Sequence, residues 1–272
     1  MADPIRDQIV LITGASSGFG ADAARLFAEA GAVVLLAARR VDRLTALAEQ
    51  IRAAGGQAYV VPLDLGEYAQ IEEAVQTILD QFGRIDILIN NAGFGHLDWL
   101  ENLDPLNDIQ AQIAVNLGGL IQLTRRVLPQ MYQRRKGHII NMASVAGQIA
   151  APMYTIYSAT KYGVRGFTEA LRREAAPFGV RVSGIYPGPA VTEFSQHSGD
   201  NAFKRQVKLP RFLALTSESV ARRMLRLARH PRRAVVLPGY YRLAFLIDRL
   251  FPGLVDWFLQ VVFVRRFHSP EK

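Results

Sequence analysis

The 272-residue chain contains no cysteine. Disulfides, thiolate metal sites and cysteine nucleophiles are therefore excluded, and a reducing compartment is permitted. Carboxylates are scarce for the number of cations: 24 Asp and Glu stand against 32 Lys and Arg, a formal net charge of +8. That balance suits an anionic cofactor, an anionic membrane surface or non-specific nucleic-acid binding. Signatures of zinc fingers, RNA-recognition motifs and basic zippers are missing, so no nucleic-acid partner is expected. No uncharged apolar run reaches the roughly 18 residues that a spanning helix needs. The charged opening stretch, 1–8, does not read as a secretory signal. No metal site is expected.

Half of the residues are hydrophobic and 21% are charged, the balance of a globular chain. The length suits one large α/β domain or two small ones. The apolar run 8–13, closed by Gly14, reads as a buried parallel strand. Helical spacing follows over 18–30, in Ala23, Ala24, Phe27 and Ala30, with Gly31 as a stop. The alternation continues with strands over 33–38, 57–63 and 85–90 and helices over 41–54 and 67–82. A longer helix is expected over 106–132, weakened by Gly118 and Gly119 and with Pro129 near its end. Strands at 137–143, 180–186 and 234–237 and helices from Tyr157 to about 176 and over 216–229 complete the pattern. Such alternation implies crossover units and a parallel sheet. Neither a repeat nor a linker precedes residue 238, so one α/β domain is expected over 1–238, with a tail over 239–272.

Between the first strand and the first helix stands Thr13-Gly14-Ala15-Ser16-Ser17-Gly18-Phe19-Gly20. Its glycines permit a tight turn and a close backbone approach, and the helix N-terminus offers unpaired N–H groups to a pyrophosphate. The spacing differs from the commoner G-x-G-x-x-G. The second strand runs out into Ala37-Ala38-Arg39-Arg40. A carboxylate there would accept from a ribose 2′-hydroxyl and repel a 2′-phosphate. Two guanidiniums instead suit a phosphate and stacking on adenine, or are simply solvated at the surface. NADP(H) is expected over NAD(H).

Tyr157 and Lys161 sit at i and i+4, one helical turn apart on the same face. A free tyrosine, with a pKa of about 10, is a poor acid near neutrality. A fixed ammonium nearby favours phenolate and eases proton exchange with a substrate oxygen. Ser144 follows the apolar strand at 137–143, so its hydroxyl could face the same pocket. A Tyr and a Lys at this spacing are common by chance. Tyr154 and Tyr162 lack a lysine one turn onward.

In combination these motifs resemble the short-chain dehydrogenase/reductase family, in its single-domain branch. The match covers about residues 5 to 195. It is carried by the glycine loop, Asp64-Leu65, Asn90-Asn91-Ala92-Gly93, Asn116 within Val115-Asn116-Leu117, Ser144, Tyr157 with Lys161, and Pro187-Gly188 followed by Thr192. The resemblance implies a Rossmann-type doubly wound sheet with the nicotinamide cofactor across the carboxyl ends of the strands. It implies that Tyr157 is the catalytic acid or base and that Ser144 orients and polarises the substrate carbonyl. Lys161 would touch the nicotinamide ribose and lower the Tyr157 pKa, and Asn116 would hold a water that relays protons to Lys161. Gly14, Ser16, Ser17, Gly18, Phe19, Gly20, Arg39 and Arg40 would bind the cofactor. Asp64 and Leu65 would contact adenine, and Asn91, Ala92 and Gly93 would line the middle of the cofactor. Pro187, Gly188 and Thr192 would lie near the carboxamide. A homo-oligomer is a further implication.

The segment 190–215 lacks a clear period and is expected to cover the substrate, as such loops do in that family. Phe194, Phe203, Leu209, Phe212, Leu213 and Leu215 suggest a lipophilic ketone, aldehyde or secondary alcohol, or else simply pack on the core. The tail is apolar and expected to be helical, with Arg265 and Arg266 at its apolar end and Trp257 as an interfacial residue. It could lie on a membrane surface, meet a second subunit or the substrate entrance, or span as a hairpin. The expected function is hydride transfer between NADP(H) and a lipophilic carbonyl or alcohol by a cytoplasmic protein, peripheral at the membrane if the tail meets lipid. The rival from another class is a membrane-associated scaffold or sensor that binds NADP(H) without turnover.

Overall fold

The structure, a computed structural model, describes residues 3–191, 193 and 214–265. Seven parallel strands form the central sheet: β1 (Ile9–Thr13), β2 (Val33–Ala38), β3 (Gln57–Pro62), β4 (Ile87–Asn90), β5 (Gly137–Met142), β6 (Val180–Pro187) and β7 (Ala234–Leu237). Their order is β3-β2-β1-β4-β5-β6-β7. The helices are α1 (Gly18–Glu29), α2 (Val41–Ala53), α3 (Tyr68–Phe82), the composite α4 over 105–133, α5 (Thr155–Ala175) and α6 (Ser217–Arg229).

Side chains alternate along β1. Val10 and Ile12 enter one core with Ala23, Ala24 and Phe27 of α1, Leu44 of α2 and Met224 of α6. Ile9 and Leu11 enter the other, with Ile71 and Val75 of α3, Leu123 and Val127 of α4 and Leu171 of α5. Both faces are thus covered, which is why the strands read as near-continuous apolar runs. The chain winds outward from β1 to β3 and then returns to place β4 on the other side of β1. A crevice opens at such a switch point, beyond the carboxyl ends of β1 and β4.

The long helix does not break at its glycines. It loosens into π turns at Pro105–Gln110 and Ala114–Gly119, the second holding Asn116, Gly118 and Gly119, and continues through Pro129 to Gln133. Beyond the sheet, Ala190–Val191 pairs with Leu215–Thr216 and brackets the expected substrate loop. Phe194, Phe203, Leu209, Phe212 and Leu213 lie outside the described residues.

The tail is helical: α7 (Tyr241–Leu250), then α8 (Pro252–Leu259) running into a π turn at Gln260–Val264. Both helices lie at the surface. Among the described residues no helix is long and apolar enough to cross a membrane, which leaves the spanning hairpin without a helix to build it.

Candidate active site

The turn after β1 carries Gly14 at φ +66°, where a Cβ would stand 2.8 Å from the Ala92 Cα. The turn after β4 therefore closes directly on the glycine loop. Thr13 stitches the two together. Its hydroxyl oxygen accepts the N–H groups of Asn91 and Ala92, each at 3.0 Å, and the Asn91 amide donates to the Thr13 carbonyl at 2.9 Å.

Arg40 closes the loop from the side. Its guanidinium donates to the Ser16 hydroxyl at 2.9 Å and the Ser17 hydroxyl at 2.8 Å, and to Glu193 at 3.0 Å. Arg43 meets the same carboxylate at 2.7 Å. Together the two arginines hold the Glu193 carboxyl below the usual range. Arg39 turns elsewhere: it is largely exposed and pairs with Asp64 at 3.7 Å. Asp64 also accepts the Gly66 N–H at 2.9 Å, an Asx turn that opens the loop before α3. Leu65 is buried in the core, and Phe19 and Gly20 begin α1 behind the glycine loop.

At the end of β5 the Ser144 hydroxyl hydrogen-bonds Tyr157 and also accepts the Ala146 N–H at 3.1 Å. Tyr157 and Lys161 come from the first turns of α5. The Lys161 ammonium lies 5.5 Å from the Tyr157 ring centroid and donates to the Met142 carbonyl at 3.0 Å. Burial pushes the Tyr157 phenol up, with the Ser144 hydrogen bond pulling against it. Burial also pushes Lys161 down, to about 8. Desolvation penalises the charged form of each.

Asn116 is fully buried. Its side chain accepts the Phe94 N–H at 2.9 Å and donates to the Phe94 carbonyl at 2.7 Å and the Thr160 hydroxyl at 3.4 Å. Gly93 fills the space between this amide and the lysine: a Cβ there would lie 3.0 Å from the Asn116 Oδ1 and 3.4 Å from the Lys161 Nζ. Below them, Asn90 donates to Asn141 and Thr124, and Asn141 to Thr168, each at 2.9 Å. This buried ladder ties β4 and β5 to α4 and α5, the elements that deliver Asn116, Ser144 and Tyr157.

Pro187 and Gly188 form the opposite wall. The Ser144 hydroxyl reaches the Pro187 carbonyl at 3.5 Å, and the Gly188 N–H donates to the Leu237 carbonyl at 2.6 Å. A Cβ on Gly188 would stand 2.7 Å from the ring of Tyr241, the first residue of α7. Tyr154 meets Tyr157 edge-on at 6.3 Å. Burial, with Tyr240 and Tyr154 nearby, pushes the Tyr241 phenol up to about 12. Thr192 lies outside the described residues. Glu193, Arg43, Tyr154 and Tyr241 join this region without any sequence motif to mark them. Among the described residues no cluster of His, Asp and Glu is arranged to hold a metal ion.

A short chain dehydrogenase family model matches residues 8–202. An uncharacterized oxidoreductase of Staphylococcus saprophyticus is 36% identical over 220 residues, 80% of this chain and 88% of that protein. A 3-ketodihydrosphingosine reductase of Bacteroides thetaiotaomicron is 36% identical over 193 residues, 71% of this chain and 68% of that one. Among solved structures, a short-chain dehydrogenase from Sphingobium yanoikuyae in complex with NADPH superposes with a TM-score of 0.79. It is 29% identical, over 92% of this chain and 95% of that one.

Proposed function

The chain belongs to the short-chain dehydrogenase family of oxidoreductases, and on that premise we propose that it moves a hydride between NADP(H) and a lipophilic ketone, aldehyde or secondary alcohol. The observation that carries the reading is the convergence of Ser144, Tyr157 and Lys161 beside Gly93, at the carboxyl ends of β4 and β5.

The residues around the crevice fit a dinucleotide phosphate. Gly14, with no Cβ, lets the Asn91–Ala92 turn close on the loop, and the loop 14–20 leads its N–H groups into the start of α1. Arg40, bonded to Ser16 and Ser17, offers the guanidinium that a 2′-phosphate needs, and β2 ends without a carboxylate. NADP(H), when bound, supplies or accepts the hydride.

In the reducing direction Ser144 donates a hydrogen bond to the substrate oxygen and Tyr157 gives that oxygen its proton. A raised phenol pKa keeps this proton in place across the neutral range. Below about pH 8 Lys161 is an ammonium, and it stabilises the phenolate that forms as the proton leaves. Asn116, locked onto Phe94, holds the main chain around Gly93 against the lysine and so fixes the floor of the site. The aromatic rings of Tyr154 and Tyr241 near the opening favour an apolar substrate, and the relative named a 3-ketodihydrosphingosine reductase supports the same class. Assembly as a homo-oligomer, implied by the family, belongs to this reading and is measured by analytical ultracentrifugation.

The test is NADPH oxidation against straight-chain ketones and aldehydes of rising length, with Tyr157→Phe as the blank. Each methylene entering an apolar slot should contribute about 0.8 kcal/mol, roughly fourfold in kcat/KM. A rise over several carbons is expected. Turnover in the Tyr157→Phe protein near that of the wild type would remove Tyr157 from the mechanism. NADPH binding with no turnover across the panel would favour the scaffold reading.

A further inference from the structure

Apolar residues at i, i+3, i+4 and i+7 normally mark the face that a helix turns to its core. In α7 that spacing falls on Leu243, Leu246, Ile247 and Leu250, and it recurs on Leu254, Trp257, Phe258 and Val261 along α8 and its π turn. Every one of these eight side chains is exposed, Leu243 at 62% and Trp257 at 57%, and Phe251, between the two helices in the chain, is 60% exposed. Two consecutive helices therefore each present an apolar stripe to the outside.

We propose that this face seats the protein on the surface of an anionic phospholipid membrane, with both helices lying in the interfacial plane. Length argues for that posture. At about 1.5 Å per residue the helices measure roughly 15 Å and 12 Å, well short of the ~30 Å hydrocarbon core. Charge argues for the partner. Arg242 and Arg249, seven residues apart, are exposed along one flank of the first stripe, and Arg265 is exposed at the end of the second. Of the two acids in these helices, Asp248 is only partly exposed and its charge acts on Tyr162 of α5, so it faces the body of the protein. Asp256 stands on the side of α8 away from the stripe, by the helical period. A face with apolar centre, arginine margin and a tryptophan suits headgroups and acyl boundary. A second copy would bring the same arginines and another +8 of charge against it.

The placement has a consequence for the site. Tyr241, at the root of α7, packs against Gly188, so the element that meets lipid also borders the active-site wall. Membrane binding itself does not depend on the catalytic reading.

The experiment is co-flotation of the full-length protein with vesicles of phosphatidylcholine alone and of phosphatidylcholine with phosphatidylserine. Binding to the anionic vesicles is expected to weaken as salt is raised. Leu246→Glu and Trp257→Glu, both at exposed positions, should each reduce it roughly tenfold or more while leaving thermal stability unchanged. The double variant Arg242→Glu, Arg249→Glu should abolish the preference for phosphatidylserine. The proposal fails if the wild type does not float with either vesicle, or floats with both equally and independently of salt. It also fails if Leu246→Glu leaves flotation untouched, or only converts a sedimenting dimer to monomer.

Discussion

Arg40 and Glu193 stand 153 residues apart in the chain, yet the Arg40 Nη1 lies 3.0 Å from the Glu193 Oε2. The same guanidinium holds Ser16 and Ser17 of the glycine loop, and Arg43 grips the other carboxylate oxygen at 2.7 Å. The carboxylate missing from the end of β2 is thus supplied from the far wall of the crevice. On the proposed reading it would compete with a 2′-phosphate for Arg40.

Glu193→Gln should therefore favour the phosphorylated cofactor. The pair is partly exposed, so its worth is about 0.5–1 kcal/mol, or roughly two- to fivefold. NADPH is expected to bind tighter by that factor in fluorescence titrations, with NADH unchanged. Equal shifts for both cofactors, or none, would show that Glu193 does not compete with a 2′-phosphate.

The two arginines after β2 should differ in effect. Arg40 is bonded into the glycine loop, whereas Arg39 is largely exposed and only 3.7 Å from Asp64. Arg40→Ala is expected to weaken NADPH by roughly ten- to a hundredfold, the scale of a charge-assisted hydrogen bond, and NADH far less. Arg39→Ala should change either affinity by only a few-fold. The ratio of the two dissociation constants for each variant decides it, and the reverse ranking would move the phosphate to Arg39.

What local pattern controls was legible in the chain. The i, i+4 spacing of Tyr157 and Lys161, the glycine loop and the apolar strands are short-range regularities, and each element formed where its period placed it. Glu193 and Tyr241 were not legible, because their partners Arg40 and Gly188 are brought close only by the winding of the sheet. The sign of the Tyr157 shift was likewise beyond a sequence argument. Spacing placed Lys161 nearby, but the burial that raises the phenol depends on every packed neighbour. In the tail the apolar residues were visible as a set, while their outward direction needed the orientation of α7 and α8.

On the proposed mechanism Lys161 should set the alkaline limb of the reduction. Burial brings it down to about 8, whereas the Tyr157 phenol is raised and stays protonated well past that point. For ketone reduction kcat/KM should be flat below pH 8 and fall above it, as the amine that stabilises the nascent phenolate loses its charge. Lys161→Met should lower kcat/KM by about a hundredfold or more and abolish that limb, leaving a profile flat from pH 7 to 9. A wild-type limb that persists in the variant would belong to another group.

His138 should make the fold sensitive to mild acid. Ser183 donates its hydroxyl hydrogen to the Arg232 carbonyl at 2.6 Å, so it accepts from the His138 Nε2–H at 2.9 Å. The ring is buried, its Nδ1 has no hydrogen-bond partner, and burial pushes its pKa down to about 3, with Arg181 adding to the effect. An unfolded histidine titrates near 6.5. Between those values the unfolded state binds a proton that the folded state refuses, so stability is full above about pH 6.5 and is lost as pH falls toward 3. The loss attributable to this group is about 1.4 kcal/mol per pH unit. Urea unfolding of the wild type and His138→Gln at pH 7, 6 and 5 measures it. The glutamine keeps an N–H donor for Ser183 but cannot titrate, so its stability should fall with acid less steeply by one proton's slope. Parallel slopes for the two proteins would place the acid sensitivity elsewhere, in carboxylates such as Asp86. Burial alone would raise that group, but hydrogen bonds from Ile9, Arg134 and Arg84 outweigh it and hold the group low.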